Sequence, residues 1–269
     1  MSFAIKMKID HKESHQDFGA QFTKFQSEID AFGAQIELLK SEVHPFELNK
    51  IKNKSVMEIG SGNGRVLLGL LKFSPRIVYA IEPSSAINIL KSNVISKKVR
   101  FIHQKGEQIN YLEKFDYIFS MGVIHHIPEH SVVIKNAYHA LKPDGELIFW
   151  VYGREGNEVY LLVFNNLRRV TRLLPDKVLL SLSKFLACTT YVYGSLCRLI
   201  KMPLKQYFIE KFNTYPFGYR AKIIFDQLNP SYSKYFHKSE LATLLEEAGF
   251  REIIYKHKQS SSWTVIAKK

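Results

Sequence analysis

The chemistry-bearing part of the chain opens with an acid and three glycines in the run VMEIGSGNGR: Glu58, Gly60, Gly62 and Gly64. Glycines between an apolar run and a helical-period segment let the main chain turn sharply. They also let a ligand approach main-chain N–H groups at a helix N-terminus. A dinucleotide fingerprint would place its third glycine at position 65, which is Arg65, and no Walker lysine follows, so the spacing argues against NAD and excludes a P-loop. A second acid, Glu82 in YAIEPS, stands where a carboxylate can accept both hydroxyls of a ribose. Alone, Glu82 reads equally well as a surface acid at a strand end; paired with the glycine turn, the ligand role is favoured.

His125 and His126 in FDYIFSMGVIHHIP are the candidate general bases, because histidine titrates near neutrality. A second role is open for His126, that of anchoring its loop. No metal site is expected: adjacent histidines cannot share one face, and Pro128 interrupts the His126 to His130 spacing. His11 and His15, near a terminus, read as solvated. Cys188 and Cys197 are the two cysteines and form no Cys-x-x-Cys, so neither a disulfide framework nor a zinc ribbon is encoded.

The elements that must position these groups alternate regularly. Strands are expected at 56–59, 77–82, 99–103, 115–120 and 146–152, with helices at 64–73, 84–96 and 131–141, the last stopped by Pro143 and Gly145 in LKPDG. Continuously apolar strands separated by helices predict an α/β, Rossmann-like, doubly wound parallel sheet. Residues 156–212 carry no strand signal but three helical stretches, at 156–173, 176–200 and 204–212. Alternation resumes with LATLLEEAGF and two strands, REIIYKH and SWTVIAK. The predicted organisation is a helical lead-in at 1–50, with Phe18, Phe22, Phe25, Ile29 and Phe32 at helical spacing, a ligand-binding domain at 51–155 and 226–269, and a helical insertion at 156–225.

At these residues the chain resembles the class I S-adenosylmethionine-dependent methyltransferases. The likeness rests on VMEIGSGNGR, the acid of AIEPS, FDYIFSMGVIHHIP and LKPDGELIFWVYG, four motifs in order. The resemblance implies a seven-stranded sheet whose last strand, near 262–267, lies antiparallel beside the fifth, and S-adenosylmethionine as cofactor. It implies that Glu58, Gly60, Ser61 and Gly62 line the methionine part, Glu82 and Pro83 the ribose, Gly106 and Glu107 the adenine edge, and Ser120, Met121 and Gly122 the end of the fourth strand. Lys105 stands where many relatives have an acid. The acceptor side implied includes Phe18 and Phe22, Tyr152 and Arg154, the insertion, and Tyr232, Tyr235 and His237. A sulfonium methyl is already a strong electrophile, so holding a nucleophile in line with sulfur is the protein's main task.

The 269 residues carry 38 Lys+Arg against 25 Asp+Glu, and residues 151–225 alone hold twelve basic against four acidic side chains. The excess therefore lies on the acceptor side. Such a balance suits an anionic substrate, a membrane surface or nucleic acid. The expected reaction is in-line methyl transfer, O-methylation first, to a small-molecule, sugar or lipid-linked acceptor, with a tRNA wobble-uridine methyltransferase as the alternative. The fourth strand lacks an Asn/Asp-Pro-Pro-Tyr/Phe motif and no RNA-binding module is recognisable, so nucleic acid is not the expected partner. Val178–Ile200 is apolar at many positions but holds Lys184 and Arg198, which argues against a membrane span. No signal peptide is read at the N-terminus. A cytoplasmic protein with peripheral contact to an anionic membrane is expected.

Overall fold

A computed structural model describes residues 36–269 apart from 172–173, 201, 203–204, 206–207, 210–211, 229–231 and 259–260. Five strands come first: β1 (Ser55–Ile59), β2 (Ile77–Ile81), β3 (Val99–Ile102), β4 (Phe115–Met121) and β5 (Leu141–Tyr152). Helices α1 (Ile36–Val43), α2 (Arg65–Leu71), α3 (Ala86–Asn93) and α4 (His130–Ala140) precede or connect them. Then follow α5 (Glu158–Thr171), α6 (Asp176–Leu199), α7 (Phe217–Leu228), α8 (Lys238–Ala248), β6 (Arg251–Lys258) and β7 (Ser262–Lys268).

The sheet order is β3-β2-β1-β4-β5-β7-β6. The first five strands are parallel, and β7 lies antiparallel between β5 and β6, Phe149 opposite Val265. This is the doubly wound, seven-stranded fold expected. Every residue of β1 is buried, as a central strand covered on both faces requires. Alternation sorts its side chains. Met57 and Ile59 join Phe149, Val133 of α4 and Leu241 of α8 in one layer, while Val56 joins Phe119, Leu39 of α1 and Leu67 of α2 in the other.

Because β2 lies on one side of β1 and β4 on the other, the chain leaves these two strand ends in opposite directions. That reversal opens a crevice at their carboxyl ends, the place where doubly wound sheets bind ligands. The glycine turn follows β1, and the loop with His125 and His126 follows β4.

Two expectations are corrected. First, α4 ends at Ala140, and Pro143 and Gly145 lie within β5 rather than stopping a helix. Leu141 already pairs with Phe115, and the register shifts before Tyr117 pairs with Glu146, so LKPDG is an irregular stretch of strand. Second, α7 was not expected, and it runs across the domain boundary placed between 225 and 226. Its apolar stripe, Ala221, Phe225 and Leu228, packs against Leu179 and Ala187 of α6, but Arg220 and Asp226 interrupt the pattern in sequence. The Val178–Ile200 segment is helical as expected, and among the described residues no helix is long and apolar enough to cross a membrane. Phe18, Phe22, Phe25, Ile29 and Phe32 of the lead-in, with His11 and His15, fall outside the described residues, as does most of 204–212.

Phe149 is fully buried where β5 meets the α4 and α8 layer. Phe149→Ala is expected to lower unfolding free energy by about 3–5 kcal/mol, read as a lower denaturant midpoint with an unchanged m-value.

Candidate functional site

The site begins where β1 ends. Gly60 and Ser61 donate their N–H groups to the Ile81 carbonyl at 2.8 and 2.9 Å, which joins the glycine turn to the end of β2. Gly60 has φ +78°, and a Cβ there would sit 2.5 Å from Val123 Cγ2, so only glycine fits between the β1 and β4 loops. The next N–H, of Gly62, donates to Glu82 Oε2 at 2.7 Å. Glu82 Oε1 accepts from the Ser84 N–H and hydroxyl at 2.9 and 2.5 Å. The Glu82 carboxylate is buried and uses three of its roughly four acceptor positions, which leaves one on Oε2 for a ligand hydroxyl.

Glu58 lies deeper in the same crevice. Burial pushes its carboxyl from the ordinary 4.5 to about 8, against the lowering effect of the adjacent Ser61 side chain and then of nearby Arg65, so the group is largely protonated at neutral pH. Its Oε2 and the Ser61 hydroxyl are buried without a hydrogen-bond partner. An orphaned buried acceptor of this kind costs about 1–3 kcal/mol, a cost that a ligand cation would remove. Glu58 and Ser61 therefore suit the amino-acid end of a small charged ligand, and Glu82 suits its polyol part.

At the end of β4, Ser120 is buried and donates to the Ile59 carbonyl at 3.3 Å, while Gly122 takes φ +78° beside Trp150. Met121 is half-buried there. The histidines that follow have different surroundings. His126 Nδ1 is 3.0 Å from the Tyr232 carbonyl; a carbonyl can only accept, so that nitrogen carries the proton, and the ring ties its loop to the 232–236 segment. His125 is fully buried, and neither ring nitrogen has a hydrogen-bond partner. Its ring centroid is 4.0 Å from Tyr152 and 4.1 Å from His126. Burial, with His126 adding to it, holds His125 well below the ordinary 6.5, so it is neutral imidazole at pH 7.

Helix α7 roofs this crevice. Near one end Tyr219 lies within electrostatic reach of Arg65, the first residue of α2. At the other, Gln227 Nε2 donates to the Tyr152 hydroxyl at 3.1 Å and Gln227 Oε1 accepts from the Tyr235 hydroxyl at 3.3 Å. Tyr152 and Tyr235 stack with centroids 5.0 Å apart. Asp226, one residue from this clasp, pairs with Lys222 at 2.8 Å, and its Oδ1 is buried without a hydrogen-bond partner. Burial raises its carboxyl above the ordinary 3.8.

The residues singled out in the sequence are thus partly gathered. Glu58, Gly60, Ser61, Gly62, Glu82, Ser120, Met121, Gly122, His125 and Tyr152 meet around one crevice, and Tyr235 stacks at its rim. Pro83 follows Glu82, and its carbonyl is 2.9 Å from His103 Nε2. Gly106 is a packing glycine: a Cβ there would lie 3.2 Å from Val133 and 3.3 Å from Ile59, while Asn136 Nδ2 holds the Glu107 carbonyl at 2.8 Å. Arg154 is exposed, with its main-chain N–H bound to the Phe236 carbonyl at 2.9 Å. His237 caps α8, its N–H bound to Glu240 at 2.8 Å and its ring 3.5 Å from Glu155. Neither side chain joins the His125 cluster. The contributions missed are Tyr219, Asp226 and Gln227. The one signal for them was a buried-polar stripe on α7, visible only once the helix is known.

A family model described as a methyltransferase domain matches residues 32–254. The tRNA U34 carboxymethyltransferase of Nautilia profundicola is 30% identical over 112 residues, 40% of this chain and 37% of that protein. The enzyme of the same name from Aliivibrio salmonicida is 31% identical over 126 residues, 43% of this chain and 37% of that protein. The matches thus span less than two-fifths of the length of these curated relatives. Among solved structures, human N-acetylserotonin methyltransferase in complex with SAM superposes with TM-score 0.54 at 14% identity, covering 94% of this chain and 56% of that one. An S-adenosylmethionine dependent methyltransferase from Mesorhizobium loti gives TM-score 0.52 at 10% identity, covering 88% of this chain and 98% of that one.

The protonated state of Glu58 has a measurable consequence. Below about pH 4 folded and unfolded chains both hold this proton. Between there and about 8 the unfolded chain has lost it and the folded chain retains it, so this group costs stability as pH rises. Glu58→Gln is expected to match the wild type at pH 4 and exceed it in thermal midpoint at pH 8; equal midpoints at both pH values would contradict the assignment.

Proposed function

The chain belongs to the class I S-adenosylmethionine-dependent methyltransferase family, and on that premise we propose that it transfers the cofactor's methyl group to an acceptor hydroxyl in the crevice under α7. The observation that carries the proposal is the pair of buried carboxylates at the glycine turn. Glu82 is held by the Gly62 N–H with one acceptor position open, and Glu58 has an orphaned oxygen. The cofactor, when bound, supplies an electrophilic methyl on a sulfonium. Glu58 and Ser61 hold its amino-acid end, Glu82 its ribose, and the Gly106–Glu107 turn borders the adenine.

The remaining work falls to the chain's own residues. An acceptor hydroxyl must give up its proton as its oxygen attacks. His125 is suited to receive it, because it is neutral at pH 7 and neither ring nitrogen is committed elsewhere. His126 positions this loop through the Tyr232 carbonyl. Tyr152, Tyr235 and Gln227 form the acceptor wall. Alignment of the acceptor with the methyl, and exclusion of water by the roof, supply the acceleration. Residues 156–225 with the rest of α7 act as the acceptor lid over the domain formed by 51–155 and 226–269.

For the acceptor, the named relatives support the tRNA alternative over the small-molecule reading, and they weigh against the expectation that nucleic acid is no partner. One observation favours a sugar or lipid-linked acceptor instead. Helix α7 reaches Tyr152 through Gln227 and brings Tyr219 within electrostatic reach of Arg65, an arrangement suited to a small acceptor enclosed beneath it.

Incubation with methyl-labelled cofactor separates the two. Label in unmodified tRNA, lost as salt rises from 50 to 200 mM, supports the tRNA reading. Label in small molecules or in the lipid extract of a cell lysate supports the other. His125→Ala is expected to lower label transfer by about 10²–10⁴-fold while leaving cofactor affinity within twofold; full activity in this variant would remove His125 from the mechanism.

A further inference from the structure

Outside the crevice, the outer face of α6 carries an exposed apolar surface. Eleven of the fifteen exposed large apolar side chains among the described residues fall between positions 158 and 217. On α6 they are ordered: Val178, Phe185, Val192 and Leu199 recur every seven residues, with Leu196 and Ile200 beside them. Residues seven apart on a helix stay within about 20° of one another, so these side chains form one continuous seam. Phe185 is 65% exposed, Val192 64% and Leu199 82%. The buried residues of the same helix, Leu179, Ser183, Ala187, Thr190 and Cys197, lie on the opposite face, where α6 packs against α7.

Beyond Asp176, its first residue, the charge along this helix has one sign. From Lys177 to Ile209 the sequence contains no Asp or Glu, while Lys177, Lys184, Arg198, Lys201 and Lys205 are all basic. Lys177, Lys184 and Arg198 are exposed, and no ion pair among the described residues engages them. A second copy laid antiparallel on the seam would bring Lys177, Lys184 and Arg198 of both copies onto one interface, with Asp176 the single acid of each helix. A polyanion such as RNA would pair with the cations but leave the apolar seam in water. An apolar seam flanked by cations fits a surface that is negative outside and apolar just beneath.

We propose that α6 is a peripheral docking helix that lays Phe185, Val192 and Leu199 into the outer layer of an anionic phospholipid bilayer, with Lys177, Lys184 and Arg198 at the headgroups. The helix lies on the membrane and does not cross it, consistent with its hydropathy. Because the seam faces away from the α7 roof, docking leaves the crevice uncovered by lipid. The proposal rests on the outer face of the insertion and stands apart from the choice of acceptor.

The test sediments the whole chain with large phosphatidylcholine vesicles, with or without about one third phosphatidylglycerol. Co-sedimentation is expected with the anionic vesicles alone, weakening as salt rises. The exposed double variant Phe185→Ser/Val192→Ser is expected to lose about tenfold or more in partitioning, with an unchanged far-UV circular dichroism spectrum. Lys184→Glu/Arg198→Glu is expected to lose severalfold. Failure of the wild type to sediment with anionic vesicles would overturn the proposal. So would unchanged partitioning of the serine variant, a dimer by light scattering that the serine variant dissociates, or tRNA retention that depends on Phe185 and Val192.

Discussion

The hydrogen bond from the Gly62 N–H to Glu82 is the contact on which the rest of the crevice depends. It joins the ends of β1 and β2 through a buried carboxylate, and it does so at the point where the sheet order reverses. Charge-assisted bonds to main-chain N–H groups are among the stronger ones in proteins, and here the donor is fixed by a turn that tolerates no Cβ at Gly60. With that turn set, Glu58 and Ser61 have little freedom. They are held beneath it, buried, with polar atoms that the protein itself does not satisfy.

The second half of the site is built on a different principle. The glycine-turn side of the crevice uses main-chain geometry at strand ends, whereas the side under α7 uses side chains brought from far apart in sequence. His125 and His126 come from the β4 loop, Tyr152 from the end of β5, Tyr235 from the segment before α8, and Gln227 from the roof helix. The roof is connected through hydroxyl and amide bonds of ordinary strength, so it can open without disturbing the sheet. A glycine turn fixed by main-chain bonds beneath a helix joined to Tyr152 and Tyr235 by side-chain hydrogen bonds fits a reaction in which the protein aligns two reactants and excludes water.

Much of the cofactor side was legible in the sequence because its signals are local. Glycines within five residues of one another, an acid at a strand end and alternating apolar runs report the fold and the turn without tertiary information. The roof was not legible. Helix α7 packs its apolar stripe against α6 with Arg220 buried in the same contact, bonded to Thr190 and lying over the Tyr191 ring, and it sends Gln227 to Tyr152, so polar residues break the single-stripe pattern by which a surface helix is recognised. Arg154 and His237 lie outside the His125 cluster for a related reason. Both follow site elements closely in sequence, yet a strand end and a helix cap turn their side chains outward, to solvent and to Glu155. In the two histidines, type and position were legible but the division of labour was not, since it depends on the Tyr232 carbonyl, 106 residues away.

The central claim is that the carboxylates at the glycine turn hold S-adenosylmethionine, with Glu58 giving up a proton to do so. Calorimetric titration of the chain with the cofactor at pH 7, in two buffers of different ionisation enthalpy, tests this directly. The account predicts one site, a proton released on binding because Glu58 passes from neutral to charged, and loss of that release in Glu58→Gln. Absence of binding, or binding with the same proton count in the wild type and in Glu58→Gln, would contradict it.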